Sequence, residues 1–144
     1  MGFEGADFLN CVVWVRSAQS ATILLSKIQK IENALGRAKD ESASYTSRVI
    51  DIDILLFGAM VKSDATLTIP HPEMQHRKFV LHPLAELNAQ LVHPVLKSNV
   101  VKLLSQTKDE STIAKQSKWL RNPRQDYLTK DESTIAKQSK WLRN

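Results

Sequence analysis

Arg48-Val-Ile-Asp-Ile-Asp-Ile-Leu-Leu-Phe57 is the most informative stretch of this 144-residue chain. Its β-branched and aliphatic residues predict a strand over Val49–Phe57, closed by Gly58. Aspartate disfavours strands, so Asp51 and Asp53 interrupt an apolar run for a reason. Side chains alternate along a strand, so both carboxylates leave one face, about 6.6 Å apart, and Ile50, Ile52 and Ile54 take the other. Two like charges so placed repel unless a cation sits between them. A hard divalent ion answers this, and Mg²⁺ commonly takes one or two carboxylates plus substrate phosphates. The competing reading is the solvated face of an edge strand, with Asp51 paired to Arg48 or a lysine.

Around this stretch the pattern is mixed. Phe8–Val15 (FLNCVVWV) reads as a strand. Ser17 and Ser20 offer N-caps for a helix to about Leu35, whose buried stripe is expected to be Leu24, Ile28, Ile31 and Leu35, with Gly36 at the C′ position. Residues 37–47 are polar and read as a loop. Leu67–Ile69 is a short strand, and helices are expected over Phe79–Asn88, despite Pro83, and Asn99–Leu104. Strands and helices in this order indicate an α+β sandwich with helices on one sheet face.

A second chemical cluster is Pro70-His71-Pro72-Glu73-Met74-Gln75-His76-Arg77-Lys78-Phe79. Prolines on both sides restrain His71, and Arg77 follows closely. Together they can hold phosphate oxygens and supply positive charge or a proton to a leaving group. The plainer alternative is a capped turn with a surface histidine, which suits His76, His82 and His93 better than His71. The histidines lack zinc-ligand spacing and Cys11 is remote from them. The chain has neither a P-loop nor a G-x-G-x-x-G turn.

The formal net charge of +5 is unevenly spread: residues 1–106 hold 11 Lys+Arg against 10 Asp+Glu, and residues 107–144 hold 9 against 5. The basic excess therefore belongs to the tail, where Thr107–Asn122 (TKDESTIAKQSKWLRN) recurs letter for letter as Thr129–Asn144. Two perfect terminal copies read as a recent duplication or an assembly artefact, since stacked repeats need three or more copies and tolerate drift. Two divisions are expected, a domain over 1–106 and a basic tail over 107–144, the tail helical or disordered. The single Cys11 forms no internal disulfide and fits a reducing, cytoplasmic setting. No apolar run reaches the roughly 18 residues of a membrane span. Neither a nucleic acid nor a membrane is expected as partner.

FLN, IENALGR, SRVIDIDILLFG and LTIPHPEMQHRKFVLHPLAEL, in this order from about Gly2 to Leu96, resemble the 6-hydroxymethyl-7,8-dihydropterin pyrophosphokinase family of folate biosynthesis. The resemblance implies a ferredoxin-like α+β fold. It also implies transfer of the β,γ-diphosphoryl group of ATP to the pterin hydroxymethyl oxygen, with release of AMP. Asp51 and Asp53 match the two aspartates that hold two Mg²⁺ ions. Gln29, Glu32, Arg37, Arg48, Thr68, His71 and Arg77 fall on ATP-contacting positions, with Arg37, His71 and Arg77 the catalytic candidates. Asn10 matches the asparagine that hydrogen-bonds the pterin, and Phe8 and Phe79 match the aromatics that sandwich it. Tyr45 takes the place of an aromatic on a mobile lid, although Ser44 and Thr46 depart from the lid's usual residues.

The family opens with a strand, a Gly-Ser-Asn loop, a helix, a second strand and a Thr-x-Pro loop, none of which occurs here. The expected architecture is thus a ferredoxin-like sandwich lacking its first strand, with Met1 at an internal position. Two functions follow: the pyrophosphokinase itself, or a catalytically impaired fragment that binds nucleotide weakly or pairs with another chain across its exposed strands.

Overall fold

A computed structural model describes residues 8–35, 50–115 and 139–143. The elements are β1 (Phe8–Val12), α1 (Ala21–Ala34), β2 (Lys62–Ser63), β3 (Thr68–Ile69), α2 (Lys78–Leu87), α3 (Val100–Gln106), β4 (Ile113–Lys115) and β5 (Ser139–Arg143), with a 3₁₀ turn at Met74–His76. The mixture is α+β. The chain divides into two compact units, Ser17–His71 and a second made of Met1–Arg16 with Pro72–Asn144. No helix among the described residues is long and apolar enough to cross a membrane.

In the unit Ser17–His71, the Ser20 hydroxyl accepts from Ile23 N and caps α1. The buried face of α1 differs from the expected stripe: Ala21, Ile28 and Glu32 are buried, with Leu25 packed on the core, whereas Ile31 and Leu35 are about half exposed. The stripe is rotated because it includes a carboxylate, which a count of apolar residues skips. Ala21, Leu67 and Ile69 form the core, joined by Leu25, Ile54 and Phe57. β2 and β3 form a small antiparallel hairpin. Its loop is tied by Asp64, whose carboxylate accepts from Thr66 N, Thr66 Oγ1 and Leu67 N and pairs with Lys62 at 2.9 Å. Hydrogen bonds from the Thr66 side chain, and then from Lys62, hold that carboxyl below the usual range. Gly36 and the polar stretch 37–47 lie outside the described residues.

The expected strand Val49–Phe57 is corrected over its described part. Residues 50–57 run without strand or helix assignment, because no strand among the described residues lies beside them to complete a ladder. Hydrogen bonds from Ile52 N to Glu32 Oε1 at 2.9 Å and from His71 N to Leu55 O at 2.9 Å tie the stretch to its surroundings.

In the other unit, β1, β5 and β4 form an antiparallel sheet in that order, and α2 packs on β1 and β5 with α3 against it. Met74, Leu81, Leu84, Val100 and Leu103 are buried here, with Val12 of β1. α2 carries Pro83 and α3 is capped by the Asn99 side chain, which accepts from Lys102 N. The helical or disordered tail is also corrected: residues 113–115 of the first copy and 139–143 of the second are strands. β1 supplies the reason, since an unpaired strand edge recruits any segment able to extend beside it.

Candidate functional site

The described candidate residues fall into two groups, one in each unit. In Ser17–His71, Asp51 and Asp53 are exposed while Ile52 and Ile54 are partly covered, Ile54 against the core, so the expected alternation holds over 51–54; Ile50, expected on the inner face, is 39% exposed. Asp53 Oδ2 lies 3.7 Å from His71 Nε2, with the imidazole largely covered and the carboxylate open to solvent. That spacing is an ion pair when the imidazole carries a proton. The placement comes from the backbone: the His71 N–H fixed on Leu55 O brings the turn after β3 against the Asp51–Asp53 stretch.

Glu32 is buried at 8% exposure, and its Oε1 accepts the N–H of Ile52, the residue between the two aspartates. The resemblance assigns Glu32 to ATP; the geometry gives it a second task, holding the backbone from which both carboxylates project. Gln29, one turn earlier on α1, is exposed, and Thr68 is half-buried in β3. Arg37, Tyr45 and Arg48 lie outside the described residues.

The donor set fits magnesium. Two exposed carboxylates supply hard oxygen ligands, and no group of three or more His, Cys, Asp or Glu side chains suited to a metal occurs among the described residues. An ion held here must fill most of its coordination with water or phosphate, as Mg²⁺ does.

In the other unit the Arg77 guanidinium stands over the Phe79 ring, 5.8 Å from its centroid. This is cation–π range and presents one positive charge and one flat apolar face together. Lys78 N, between them, donates to Asp109 Oδ2 at 2.7 Å, so a residue 31 positions later satisfies the first orphan N–H of α2. Burial alone would raise the Asp109 carboxyl; bonds from Ser111 and Lys78 outweigh it and hold it below the usual range. Asp109 was not among the sequence candidates, and only its place in a Thr-x-Asp-x-Ser turn signalled a side chain that ties backbone. Asn10 sits in β1 opposite Trp141, with Phe8 opposite Arg143. His93 is buried, its Nδ1 accepting from Val95 N and Leu96 N at 3.2 and 3.1 Å, which makes it a structural acceptor.

Residues 1–89 match the family described as 7,8-dihydro-6-hydroxymethylpterin-pyrophosphokinase. Among curated proteins, the chain is 37% identical over 100 residues to a 2-amino-4-hydroxy-6-hydroxymethyldihydropteridine pyrophosphokinase of Synechocystis, covering 69% of this chain and 50% of the relative. The protein of the same name in Aquifex aeolicus is 36% identical over 113 residues, 78% of this chain and 67% of its own length. That of Haemophilus influenzae is 39% identical over 88 residues, 61% and 54% respectively. With well over half its length matched, the chain belongs to the 7,8-dihydro-6-hydroxymethylpterin-pyrophosphokinase family. It spans about half to two-thirds of the length of these relatives.

Proposed function

We propose that this chain acts as a cytoplasmic pyrophosphokinase, moving the terminal diphosphate of ATP to the hydroxymethyl oxygen of 6-hydroxymethyl-7,8-dihydropterin and releasing AMP. The single observation that carries this reading is the exposed Asp51–Asp53 pair with the His71 imidazole 3.7 Å from Asp53. Carboxylates and imidazole together provide one place for a cation and one for a phosphate oxygen. Asp51 and Asp53 would hold two Mg²⁺ ions, which when bound neutralise the triphosphate and favour attack at the β-phosphorus. His71 and Arg77, with Arg37, supply hydrogen bonds and positive charge to phosphate oxygens. Gln29, Glu32, Arg48 and Thr68 bound the nucleotide. Phe79 offers its ring to the flat heterocycle, with Phe8, Asn10 and Tyr45 completing its contacts. Family membership further supports a ferredoxin-like arrangement of the α and β elements.

The test is formation of AMP from MgATP and the pterin by the full chain, against Asp53→Ala. Magnesium-dependent AMP formation that the substitution abolishes is expected. No AMP above the Asp53→Ala background overturns the reading for this chain.

A further inference from the structure

Arg77 is a poor residue on which to start a helix. It occupies the N-cap of α2 in an extended conformation (φ −115°, ψ 108°) and makes no side-chain cap bond. A guanidinium has only donors, and the first-turn N–H groups need acceptors. The Arg77 carbonyl serves Val80 N and Leu81 N at 3.1 and 3.0 Å. The N–H of Lys78, the first helical residue, goes instead to Asp109 Oδ2 at 2.7 Å. A negative group at this end of α2 also suits the helix dipole.

Asp109 is itself held. Ser111 N donates to its other oxygen at 2.9 Å, and Asp109 N donates to Thr107 Oγ1 at 3.3 Å. Thr107 N donates to Leu103 O at 3.0 Å, so the turn hangs from the last turn of α3. Further along, Lys115 pairs with Glu86 of α2 at 2.7 Å. Residues 107–115 therefore meet α2 near both of its ends, and the Asp109 end is the one that meets the turn carrying Arg77 and Phe79. Each of these two residues shares a peptide bond with Lys78, and their side chains face each other at 5.8 Å. A displacement of the Lys78 backbone moves both. The family match covers residues 1–89, and Asp109 lies beyond it.

We propose that Asp109 is a positioning residue for substrate binding, holding Phe79 and Arg77 in place through the Lys78 amide. This rests on the roles given above to Phe79 and Arg77, and extends them to a residue outside the family-matched segment. Asp109 acts through the backbone and touches no substrate.

Titration of the full chain with the pterin, with Mg²⁺ and a non-hydrolysable ATP analogue present, is followed by quenching of pterin fluorescence and set beside steady-state AMP formation. Asp109→Ala should raise the pterin dissociation constant and KM roughly tenfold, short of the about hundredfold that an ångström of misplacement can cost. The KM for MgATP should rise by a smaller factor, and kcat should change less than the pterin KM. Asp109→Asn keeps one oxygen for Lys78 N and should weaken pterin binding by no more than about threefold. Lys115→Ala loosens the other end of the same segment and should leave both constants within about twofold of the parent. The proposal is overturned if Asp109→Ala binds the pterin as the parent does. It is overturned equally if Lys115→Ala weakens binding as much, because the loss is then a general loosening of α2. AMP formation without dependence on Asp109 removes the positioning role alone. Asp109-dependent pterin binding in a chain that forms no AMP removes the catalytic reading alone.

Discussion

In the unit Ser17–His71, the Glu32 carboxylate takes the N–H of Ile52, the residue between Asp51 and Asp53. In the other unit, the Asp109 carboxylate takes the N–H of Lys78, the residue between Arg77 and Phe79. Each of these two groups therefore rests on a remote carboxylate holding the backbone at its midpoint, which aims the side chains on either side. The difference lies in what else supports each stretch. Lys78 opens a helix of ten residues with its own hydrogen-bond ladder and a buried face. Ile52 lies in an extended run with no strand beside it among the described residues. Where regular structure exists the tether refines an element; where it is lacking the tether does much of the element's work.

Glu32→Leu is the strongest way to break this comparison. It strands the Ile52 N–H beside an apolar side chain, at a cost of about 1–3 kcal/mol. It should also abolish the rise in melting temperature produced by MgATP, whereas Glu32→Gln, which keeps an acceptor, should recover most of both. If Glu32→Leu melts with the parent and responds fully to MgATP, the tether does not position the aspartates. Asp109→Ala should be milder, about 0.5–2 kcal/mol by analogy with loss of a helix cap. Its sharper signature is weakened quenching of pterin fluorescence, accompanied by a smaller loss of MgATP binding through Arg77. Asp131→Ala, the same change in the second copy, serves as the control and should alter neither measurement.

How much of this was legible in the sequence depended on whether the side chain concerned was apolar. β1, the cap at Ser20, and α2 through Pro83 followed from periodicity and capping residues. The carboxylate pair was readable because aspartate is conspicuous in an aliphatic run. The inward face of α1 was not: Glu32 buries because Ile52 offers it an N–H, and that partner lies 20 residues away. The missing ladder at 50–57 and the strands in the tail share a cause, since a strand's existence depends on its neighbour. FLNCV and SKWLR become strands by meeting each other, whereas the more strand-like IDIDILLF meets no neighbouring strand among the described residues.

His93 extends the comparison to an acceptor that titrates near neutrality. Its Nδ1 receives two backbone N–H groups, and burial lowers its pKa below the usual 6.5. The unfolded chain therefore takes up this proton first. His93's contribution is complete above about pH 6.5 and declines as the pH falls towards its folded value, with a slope of at most about 1.4 kcal/mol per pH unit. Asp109 titrates in the same sense but later, its stabilisation present above the ordinary carboxylate range and lost in acid below it. Melting followed from pH 8 to 3 should show two separated losses, with His93→Gln removing the first and Asp109→Asn the second. A single loss below pH 4 in the parent would exclude His93 as a buried neutral acceptor. The smallest effect is expected of Lys115→Ala, which removes the 2.7 Å pair with Glu86 on an exposed surface. Such pairs contribute about 0–1 kcal/mol, and the loss should fade in 0.5 M salt.

The tail also has a consequence at the level of the gene. Thr129 begins the second copy 22 residues after Thr107 begins the first, so recombination between the two coding segments excises a whole number of codons and preserves the reading frame.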